Sequence, residues 1–302
     1  MVFQAMPTPP LLDVFITRDE LIATIERAKR EDMGEINRDI TSQVFIPGDR
    51  PCVATMHARK SGVLAGAALF PLIAQAYDPA ITIDSNKHDG DALAPRDAIA
   101  TFKGPLRSVL AMDRIALNFA THLAGIATLT AAFVNAVKGT KAKICDTRKT
   151  IPGLRGLEKY AVACGGGCNH RIGLYDAVLV KDNHLAHVPA GDLQKTLDEA
   201  IQRARAAQPP PAFIEVEVDT LEQLERVLSC DVDIVLLDNM TTSQLQQAVT
   251  MRDRAAPKVE LEASGGVNLD TVRSIAATGV DRISVGALTH SAPALDLGLD
   301  ID

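Results

Sequence analysis

The sequence has no excess of basic residues. Its 302 residues include 31 Lys and Arg against 38 Asp and Glu, which gives a formal net charge of -7 at pH 7. Nucleic acids and anionic membrane surfaces are bound through basic faces, which a chain of this charge does not supply overall. We therefore expect no nucleic-acid partner and no membrane partner, and any anion-binding site must be local.

Cysteine is also scarce, and long apolar runs are missing. There are five cysteines, an odd number, and the first ten residues lack the positive start and unbroken apolar stretch of a secretory signal. Both features favour reduced thiols and a cytoplasmic location over a disulfide framework. The most apolar run, residues 63–74, is shorter than the roughly 20 residues of a membrane span and includes Pro71, so we expect it in a core.

The length of the chain favours two domains, one small and one a larger α/β unit. Near the start, Thr17 and Glu20 have the spacing of a capping box and precede an apolar stripe of helical period. This pattern predicts an amphipathic surface helix that ends near Gly34.

The next hundred residues change from strand patterns to helical patterns. Between residues 53 and 102, short apolar runs alternate with turns, which predicts the strands of an α+β unit with a helix near residues 65–76. Residues 106–137 contain no proline and carry apolar side chains at helical spacing. We predict two consecutive helices there, with a break near Gly125.

The remainder of the chain alternates short β-branched runs with stretches of helical length. The predicted strands are residues 143–146, 177–180, 213–218, 234–237, 259–262 and 282–285. This alternation predicts a parallel β/α barrel or an open doubly wound sheet. The proline cluster at residues 209–211 falls inside the pattern, so we interpret it as a loop of this unit and not as an interdomain linker.

Polar residues or glycines directly follow five of these strands. They are Thr147-Arg148-Lys149, Lys181-Asp182-Asn183-His184, Asp238-Asn239, Ser264-Gly265-Gly266 and Gly286-Ala287. Active sites of β/α barrels lie at the carboxyl ends of the strands. The repetition therefore predicts one pocket to which all five strand ends contribute.

One strand carries alternating carboxylates. In the run from Ile214 to Asp219 a period of two puts Glu215, Glu217 and Asp219 on one face, which we expect to face the barrel interior while helices cover the apolar face. An exposed edge strand is the alternative. Like charges so close together repel, so a cation must lie beside them, and Lys149, Lys181 or a divalent ion are the candidates.

The two glycine sites suit a phosphate. Ser264-Gly265-Gly266 and Gly286 each stand at a strand end, and we expect a helix to follow each one directly, so that bare amides and a helix dipole meet the anion. The alternative is that these glycines only make tight turns between strand and helix.

Residues 146–184 hold most of the candidate cations. Arginine suits a planar dicarboxylate through its bidentate fork and lysine suits a phosphate, so a site with both predicts substrates that carry carboxylates and phosphates. A solvated charge run is the alternative. His170 is a core histidine, a proton donor or a neutral hydrogen-bond donor, and we favour substrate binding. Cys164 and Cys168 lack a second ligand pair of the zinc type, so we expect no metal between them.

At these residues the chain resembles the quinolinate phosphoribosyltransferase family. The resemblance begins at residues 31–34 (EDMG) and 39–42 (DITS), continues through residues 114–119 and 125–128, and is densest in DTRKTIPGLRGLEKYAVACGGGCNHRIGLYDAVLVKDNH, residues 146–184. It extends through EVEVD, LLDNM, EASGGV and ISVGALTHS.

The resemblance implies a fold and an assembly. The fold is an N-terminal α/β sandwich domain, residues 1–124, followed by an incomplete, seven-stranded β/α barrel, residues 125–290, with residues 291–302 packing back onto the first domain. The assembly is a homodimer, or a higher oligomer built from it, in which Arg114 enters the active site of the partner. Periodicity by itself would leave Arg114 an exposed helix residue.

The resemblance also implies an activity. It is transfer of phosphoribosyl from phosphoribosyl pyrophosphate to quinolinate with decarboxylation, which yields nicotinate mononucleotide, pyrophosphate and CO2. The catalytic residues would be Lys149, Glu217 and Asp238, with Mg²⁺ as cofactor, held by Glu217 and Asp238 directly or through water. The substrate-binding residues would be Arg114, Thr147, Arg148, Lys149, His170, Arg171, Lys181, Glu217, Asp238, Ser264, Gly265, Gly266, Val285, Gly286 and Ala287.

Three other functions stay open. A related phosphoribosyltransferase acting on nicotinate, or a paralogue associated with molybdenum transport, would have the same fold. A non-catalytic phosphate-binding barrel belongs to a different class, and the carboxylates Glu215 and Glu217 argue against it because a phosphate binder gains nothing from like charges beside its ligand.

Overall fold

The computed structural model describes residues 11–48, 50–186, 188 and 193–301. The first ten residues, on which the expectation about export rests, lie outside the described residues. The chain divides into two compact units. The first comprises Met1–Ala131, Ile151–Gly166 and Ser291–Asp302, and the second comprises Ala132–Thr150 and Gly167–His290.

The regular elements follow one another in a mixed α/β order, with two short 3-10 turns at Leu12–Val14 and Ala67–Leu69. In chain order they are α1 (Arg18–Met33), α2 (Ile40–Phe45), β1 (Pro51–Ala58), β2 (Gly62–Val63), α3 (Phe70–Tyr77), β3 (Thr82–Ser85), β4 (Ala92–Leu93), β5 (Ala98–Pro105), α4 (Leu106–Ala136), β6 (Lys143–Cys145), α5 (Arg155–Cys164), β7 (Val178–Val180), α6 (Asp182–Leu185), α7 (Leu193–Arg205), β8 (Ile214–Val218), α8 (Leu221–Val227), β9 (Ile234–Asp238), α9 (Thr242–Ala255), β10 (Glu260–Ser264), α10 (Val272–Ala276), β11 (Arg282–Ser284), α11 (Ala287–His290) and β12 (Leu297–Ile301).

The first helix is bounded as the sequence predicted. The Thr17 hydroxyl oxygen accepts the Glu20 N–H at 3.3 Å, and the Glu20 carboxylate accepts the Thr17 N–H at 3.1 Å, which completes the capping box. The helix ends at Gly34, whose φ of 68° lies in the left-handed region that glycine tolerates. Leu21 and Ile25 are its buried residues.

The first unit contains an antiparallel sheet. Its strand order is β12-β1-β5-β3, and a second, two-stranded sheet pairs β2 with β4. The buried rings of Phe70 on α3 and Phe102 on β5 meet edge to face, with centroids 5.5 Å apart. The predicted α+β unit is confirmed, and its helix starts slightly later than expected because a 3-10 turn precedes α3.

The prediction of two helices between residues 106 and 137 is wrong. Helix α4 is continuous for 31 residues, and the glycine that suggested a break has another purpose. A Cβ built on Gly125 would overlap the carbonyl oxygen of Pro293 and lie 3.0 Å from the Cα of Ala294. Gly125 therefore lets another segment approach the helix closely, as only glycine can.

Helix α4 is long and apolar enough to cross a membrane by length and composition. Within its most apolar 18-residue window, however, 61% is buried inside the protein. The core residues Leu123 and Ile126 lie in this helix. A mostly buried helix of this kind is also what the core of a globular protein contains.

The second unit is an incomplete β/α barrel, as predicted. Its described strands form one parallel sheet in the order β6-β11-β10-β9-β8-β7. The seventh strand is reduced to a parallel bridge between Cys168 and Cys145. The Cys168 N–H donates to the Ile144 oxygen at 2.8 Å, and the Asp146 N–H donates to the Cys168 oxygen at 3.1 Å.

The six observed strands agree with the predicted ones within one or two residues at each end. Pro209, Pro210 and Pro211 lie between α7 and β8, so the interpretation of this cluster as a loop of the barrel unit is confirmed.

The two compact units depart from the predicted domains in two segments. Residues 125–131 belong to the first unit because α4 continues through them, and residues 151–166 join it through α5. There the fully buried Glu158 pairs with Nε2 of His122 at 2.9 Å. Strand β12 pairs antiparallel with β1, so the C-terminal residues also belong to the first unit.

Candidate active site

A cavity of about 430 Å³ opens in the second unit, where the barrel strands end. The sequence had predicted most of the residues that line it: Thr147, Arg148, Lys149, His170, Arg171, Lys181, Glu217, Asp238 and Ser264. The sequence had not singled out the remainder, which are Leu179, Leu236, Glu262 and Ser284.

Parallel pairing explains why these distant residues meet. In the sheet Ser264 pairs with Asp238, the last residues of β10 and β9, and Ser284 pairs with Cys145, the last residues of β11 and β6. All carboxyl ends of a parallel sheet lie at one edge. The polar residues that follow the strands therefore converge at one mouth.

The ion pair of Lys181 with Glu217 joins two neighbouring strands. Lys181 follows β7, Glu217 lies on β8, and Nζ of the lysine contacts Oε2 of the glutamate. The Glu217 side chain is 13% exposed and that of Lys181 is 42% exposed. Lys181 is thus one of the cations that the alternating carboxylates were expected to require.

The expected interior position holds for two of the three carboxylates in this strand. Glu215 is fully buried and Glu217 lines the cavity. Asp219 is exposed, so its predicted position is wrong. Strand β8 ends at Val218, and the Asp219 N–H donates to Oε1 of Gln223 at 2.7 Å in the turn that starts α8, so the alternation no longer applies.

His170 lines the cavity and is buried against two carboxyls. Its Nε2 lies 2.8 Å from Oε2 of Glu215 and 3.5 Å from Oε1 of Glu262. Its Nδ1 accepts the N–H of Arg171 at 2.7 Å. Because Nδ1 is an acceptor, the proton of the neutral ring is on Nε2 and is directed at Glu215.

Burial changes the acidity of these two carboxyls. Loss of solvent raises the pKa of Glu215 to about 7, against the lowering effect of nearby arginines. Burial likewise raises the pKa of Glu262 to about 7, and the charge of Glu215 acts in the same direction. His170, Glu215 and Glu262 also bring one possible metal-ligand atom each within 4.8 Å of one another.

Two arginines make the cavity cationic. Arg171 is buried, its Nη1 donates to the Ala177 oxygen at 3.3 Å, and burial followed by the charge of Arg148 lowers its pKa. Nε of Arg148 is buried and has no hydrogen-bond partner among the residues that the structure describes. A buried donor without an acceptor is costly, so the site is suited to an anionic ligand.

The first glycine turn has the left-handed backbone conformation that favours glycine. Gly265 and Gly266 have φ values of 95° and 60°. A Cβ on Gly286 would lie 3.0 Å from Cδ of Lys149 and 3.3 Å from Nε2 of His290. Lys149 and His290 therefore lie close to the second turn. His290 was not among the residues predicted from the sequence.

A helix follows only one of the two glycine turns directly. Ala287 begins α11 immediately after Gly286, and Val285 is buried with its N–H donating to the Cys145 oxygen at 2.9 Å. The prediction of a helix straight after Gly266 is wrong, because α10 begins only at Val272. Asn268 intervenes, and its side-chain oxygen accepts the N–H groups of the next turn.

Glu262 and Ser284, which sequence reasoning missed, had the same period-two signal as the carboxylates that it found. Glu260, Glu262 and Ser264 alternate with apolar residues along β10, as the carboxylates do along β8. Arg282 and Ser284 alternate likewise in β11, and Nε of Arg282 donates to Oε2 of Glu262 at 2.6 Å. A period-two test on every predicted strand would have found this second row.

Arg114, which the resemblance placed in a partner's active site, is exposed on α4 in the first unit. It is not among the residues that line the cavity. Cys164 and Cys168 are free thiols, the former buried on α5 and the latter in the bridge to Cys145.

Two family models match this chain. One is described as quinolinate phosphoribosyl transferase, N-terminal domain, and matches residues 39–124. The other is described as quinolinate phosphoribosyl transferase, C-terminal domain, and matches residues 126–300.

Similar proteins extend over nearly the whole chain. A Mycobacterium leprae protein named nicotinate-nucleotide pyrophosphorylase [carboxylating] is 44% identical over 283 residues, which cover 92% of this chain and 96% of the relative. A Nicotiana tabacum protein named quinolinate phosphoribosyltransferase [decarboxylating] 1b is 38% identical, with 94% and 83% covered.

The solved structure of nicotinate-nucleotide pyrophosphorylase from Francisella tularensis superposes with a TM-score of 0.86 at 36% identity, covering 95% of this chain and 98% of that one. Its counterpart from Pyrococcus furiosus, at 15% identity and a TM-score of 0.67, shows likeness of fold alone. Two family models matched in succession and this degree of identity confirm the resemblance first found in the motifs, and the chain belongs to the quinolinate phosphoribosyltransferase family.

Proposed function

We propose that this protein transfers the phosphoribosyl group of phosphoribosyl pyrophosphate to quinolinate and releases pyrophosphate and CO2, with nicotinate mononucleotide as the product. The observation that carries the proposal is the cationic cavity at the barrel mouth. It holds Arg148, Arg171 and Lys181 within a chain whose net charge is -7. Such a local reversal of charge selects an anionic substrate.

Quinolinate is a flat ring with two adjacent carboxylates. The forked guanidinium groups of Arg148 and Arg171 match that geometry, and the buried Nε of Arg148 gains an acceptor when the dicarboxylate binds. Lys181 adds a point charge, and Thr147 and Lys149 line the same cavity. His170 is held by Glu215 and by the Arg171 N–H, so it supports the position of Arg171 in this pocket.

Glu217 and Asp238, two of the three acidic side chains that line the cavity, act on the ribose. The pyridine nitrogen attacks C1 as the bond from C1 to the pyrophosphate oxygen breaks, and positive charge develops at C1. Glu217 and Asp238 stabilise that charge electrostatically at the edge of a partly buried site.

Glu217 and Asp238 would hold the magnesium ion. Carboxylate oxygens are its preferred protein ligands, and it is commonly held by one or two carboxylates together with substrate phosphates. When bound, directly or through water, Mg²⁺ supplies charge neutralisation to the pyrophosphate.

The glycine turns would hold the 5'-phosphate of the ribose. Ser264, Gly265 and Gly266 offer a hydroxyl and bare amides at the end of β10. Gly286 and Ala287, which follow the buried Val285, offer amides after β11. Backbone amides without side chains can approach phosphate oxygens closely.

Loss of CO2 follows from the new bond. Once the ring nitrogen is quaternised it withdraws electrons, so the bond from C2 to its carboxyl carbon breaks and the electron pair stays on C2. A proton then replaces the carboxyl group. The protein contributes orientation of the ring and exclusion of water.

We further propose a homodimer, able to assemble into a higher oligomer, in which Arg114 completes the partner's site, and a cytoplasmic location. Support for the shared site is the family membership together with the exposure of Arg114 on α4. Five free cysteines support a reducing compartment.

Titration calorimetry with quinolinate tests the substrate assignment. Lys181→Ala and Arg171→Ala should each weaken quinolinate binding by tenfold or more, roughly the effect of losing a charge-assisted hydrogen bond. Lys195→Ala, an exposed lysine on α7, is the matched control and should bind like the wild type. Unchanged affinity in both cavity variants would reject the assignment.

Turnover separates the remaining alternatives. Release of CO2 from carboxyl-labelled quinolinate, dependent on phosphoribosyl pyrophosphate, is the expected result. Transfer to nicotinate alone would indicate an acceptor with one carboxylate. The absence of any turnover with either acceptor would indicate a phosphate-binding barrel.

A further inference from the structure

We propose that Asn239 is a positioning residue that orients Asp238 and ties it to the turn at Gly265, so that the carboxylate and the phosphate turn are held as one unit. This inference rests on the proposed function, because it concerns how phosphoribosyl pyrophosphate is bound. Asn239 itself need not line the cavity, because it acts through Asp238 and Gly265.

The backbone of Asn239 is the first observation. Asn239 directly follows β9 and has a φ of 53°. This value lies in the left-handed region that residues other than glycine seldom adopt. Glycine occupies such positions by default, and asparagine is tolerated because its short amide can hydrogen-bond locally. An asparagine at this position therefore indicates that its side-chain amide makes a hydrogen bond that glycine could not make.

The amide of Asn239 holds the carboxylate next to it. Nδ2 donates to Oδ2 of Asp238 at 2.6 Å. One carboxylate oxygen is thereby engaged, which restricts rotation of the Asp238 side chain. The reverse orientation of the amide would set its oxygen against the carboxylate, so the hydrogen bond also fixes which amide atom faces Gly265.

Asn239 also contacts the phosphate turn, which is the turn Ser264-Gly265-Gly266 that we propose as the phosphate site. The Asn239 N–H donates to the Ser264 oxygen at 2.9 Å. A Cβ built on Gly265 would overlap Oδ1 of Asn239 and lie 2.6 Å from its Cγ. Gly265 must therefore be glycine both for its φ of 95° and because the Asn239 amide fills the space a side chain would need.

These contacts join the two ends of one substrate site. Asp238 faces the cavity at the end of β9, and Ser264 and Gly265 form the turn at the end of the neighbouring β10. Ribosyl transfer needs C1 and the 5'-phosphate fixed at a set separation, and small errors in position reduce the rate strongly. The amide of Asn239 sets that separation on the protein side.

Asn239→Gly is the sharpest test, because glycine adopts a φ of 53° without strain and the whole side chain with its carboxamide is lost. Calorimetric titration with phosphoribosyl pyrophosphate and Mg²⁺, without quinolinate, should show about tenfold weaker binding. In steady state the KM for phosphoribosyl pyrophosphate should rise while the KM for quinolinate stays within about twofold. The melting temperature should match the wild type.

Asn239→Asp is the second variant and Asn37→Gly is the control. Aspartate keeps the shape of the side chain but replaces the donor with an oxygen beside Asp238, so it should lose at least as much affinity as the glycine variant. Asn37 also has a positive φ, of 50°, and lies in the first unit. Its change to glycine should leave binding of both substrates unaltered.

A double-mutant cycle with Asp238→Ala distinguishes the possible failures. If Asn239 acts through Asp238, its change to glycine adds little further loss in the Asp238→Ala background. Fully additive losses, or wild-type binding by Asn239→Gly alongside a weakened Asp238→Ala, would overturn this inference while the proposed function stands. Wild-type binding by Asp238→Ala would instead remove Asp238 from the proposed function.

Discussion

Glu262 illustrates how much a single side chain depends on its surroundings. It is fully buried, accepts hydrogen bonds from Nε of Arg282 and from the Ser284 hydroxyl, and lies near the buried Glu215. Burial raises its pKa to about 7 in spite of the arginine. The protonated form is thus favoured in the folded protein more than in the unfolded chain.

This shift predicts a dependence of stability on pH. Because the pKa of Glu262 is higher in the folded state, its contribution to stability is complete below the ordinary carboxyl value of 4.5 and is lost as the pH rises through about 7. Glu262→Gln cannot ionise. Between about pH 5 and pH 8.5 its free energy of unfolding should therefore fall less than that of the wild type, by about 1–3 kcal/mol.

Urea unfolding at a series of pH values measures this difference. Glu222→Gln is the matched control, since Glu222 is an exposed carboxyl on α8 whose loss should leave the pH profile of the wild type unchanged. Parallel profiles for the wild type and Glu262→Gln would contradict the interpretation of Glu262 as a strongly perturbed group.

Helix α4 shows the limits of reading an element from its own residues. Glycine in a helix lowers helix propensity, so Gly125 suggested a break. The helix is continuous because its stability comes from packing, and Gly125 meets the chain at Pro293 and Ala294. The reason for a glycine at this position is its contact with a segment more than 160 residues further along the sequence.

We therefore expect Gly125→Ala to lower the stability of the protein, whereas helix propensity by itself predicts that it raises the stability. Propensity predicts stabilisation by about 1 kcal/mol, whereas overlap of the new Cβ with the Pro293 oxygen predicts destabilisation by about 2 kcal/mol or more. Chemical denaturation measures the difference. Gly48→Ala, where no atom lies within 4 Å of the added carbon, is the control and should change stability by less than about 0.5 kcal/mol.

At the scale of the whole molecule, the proposed dimer makes a prediction that one chain cannot test. If Arg114 serves the partner's site, then Arg114→Ala and Lys181→Ala should each be inactive and should regain partial activity when mixed. One site of each mixed dimer then has both residues intact. Light scattering should give twice the chain mass of 32.2 kDa, or a multiple of it.

Subunit exchange must be shown for the mixing experiment, for example by energy transfer between labelled chains. Exchange without recovered activity would count against a shared site. We expect the mixture to recover activity. If Arg114→Ala and Lys181→Ala were each as active as the wild type before mixing, neither residue would be needed for the reaction.

Much of the fold could be predicted from the sequence because it follows from neighbours along the chain. The capping box at Thr17 and the short strands of the barrel depend on local spacing, and both were found. The polar strand ends could also be placed at one mouth, because all parallel strands present their carboxyl ends on the same side.

Contacts between strands were decided only by the tertiary structure. Register brings Arg282 beside Glu262 and sets His170 against Glu215, and no local pattern specifies such partners. The end of β8 at Val218 likewise removed Asp219 from the interior. Periodicity states which face a side chain takes, whereas the neighbour it meets there depends on how separate stretches of chain align, which is a property of the folded molecule.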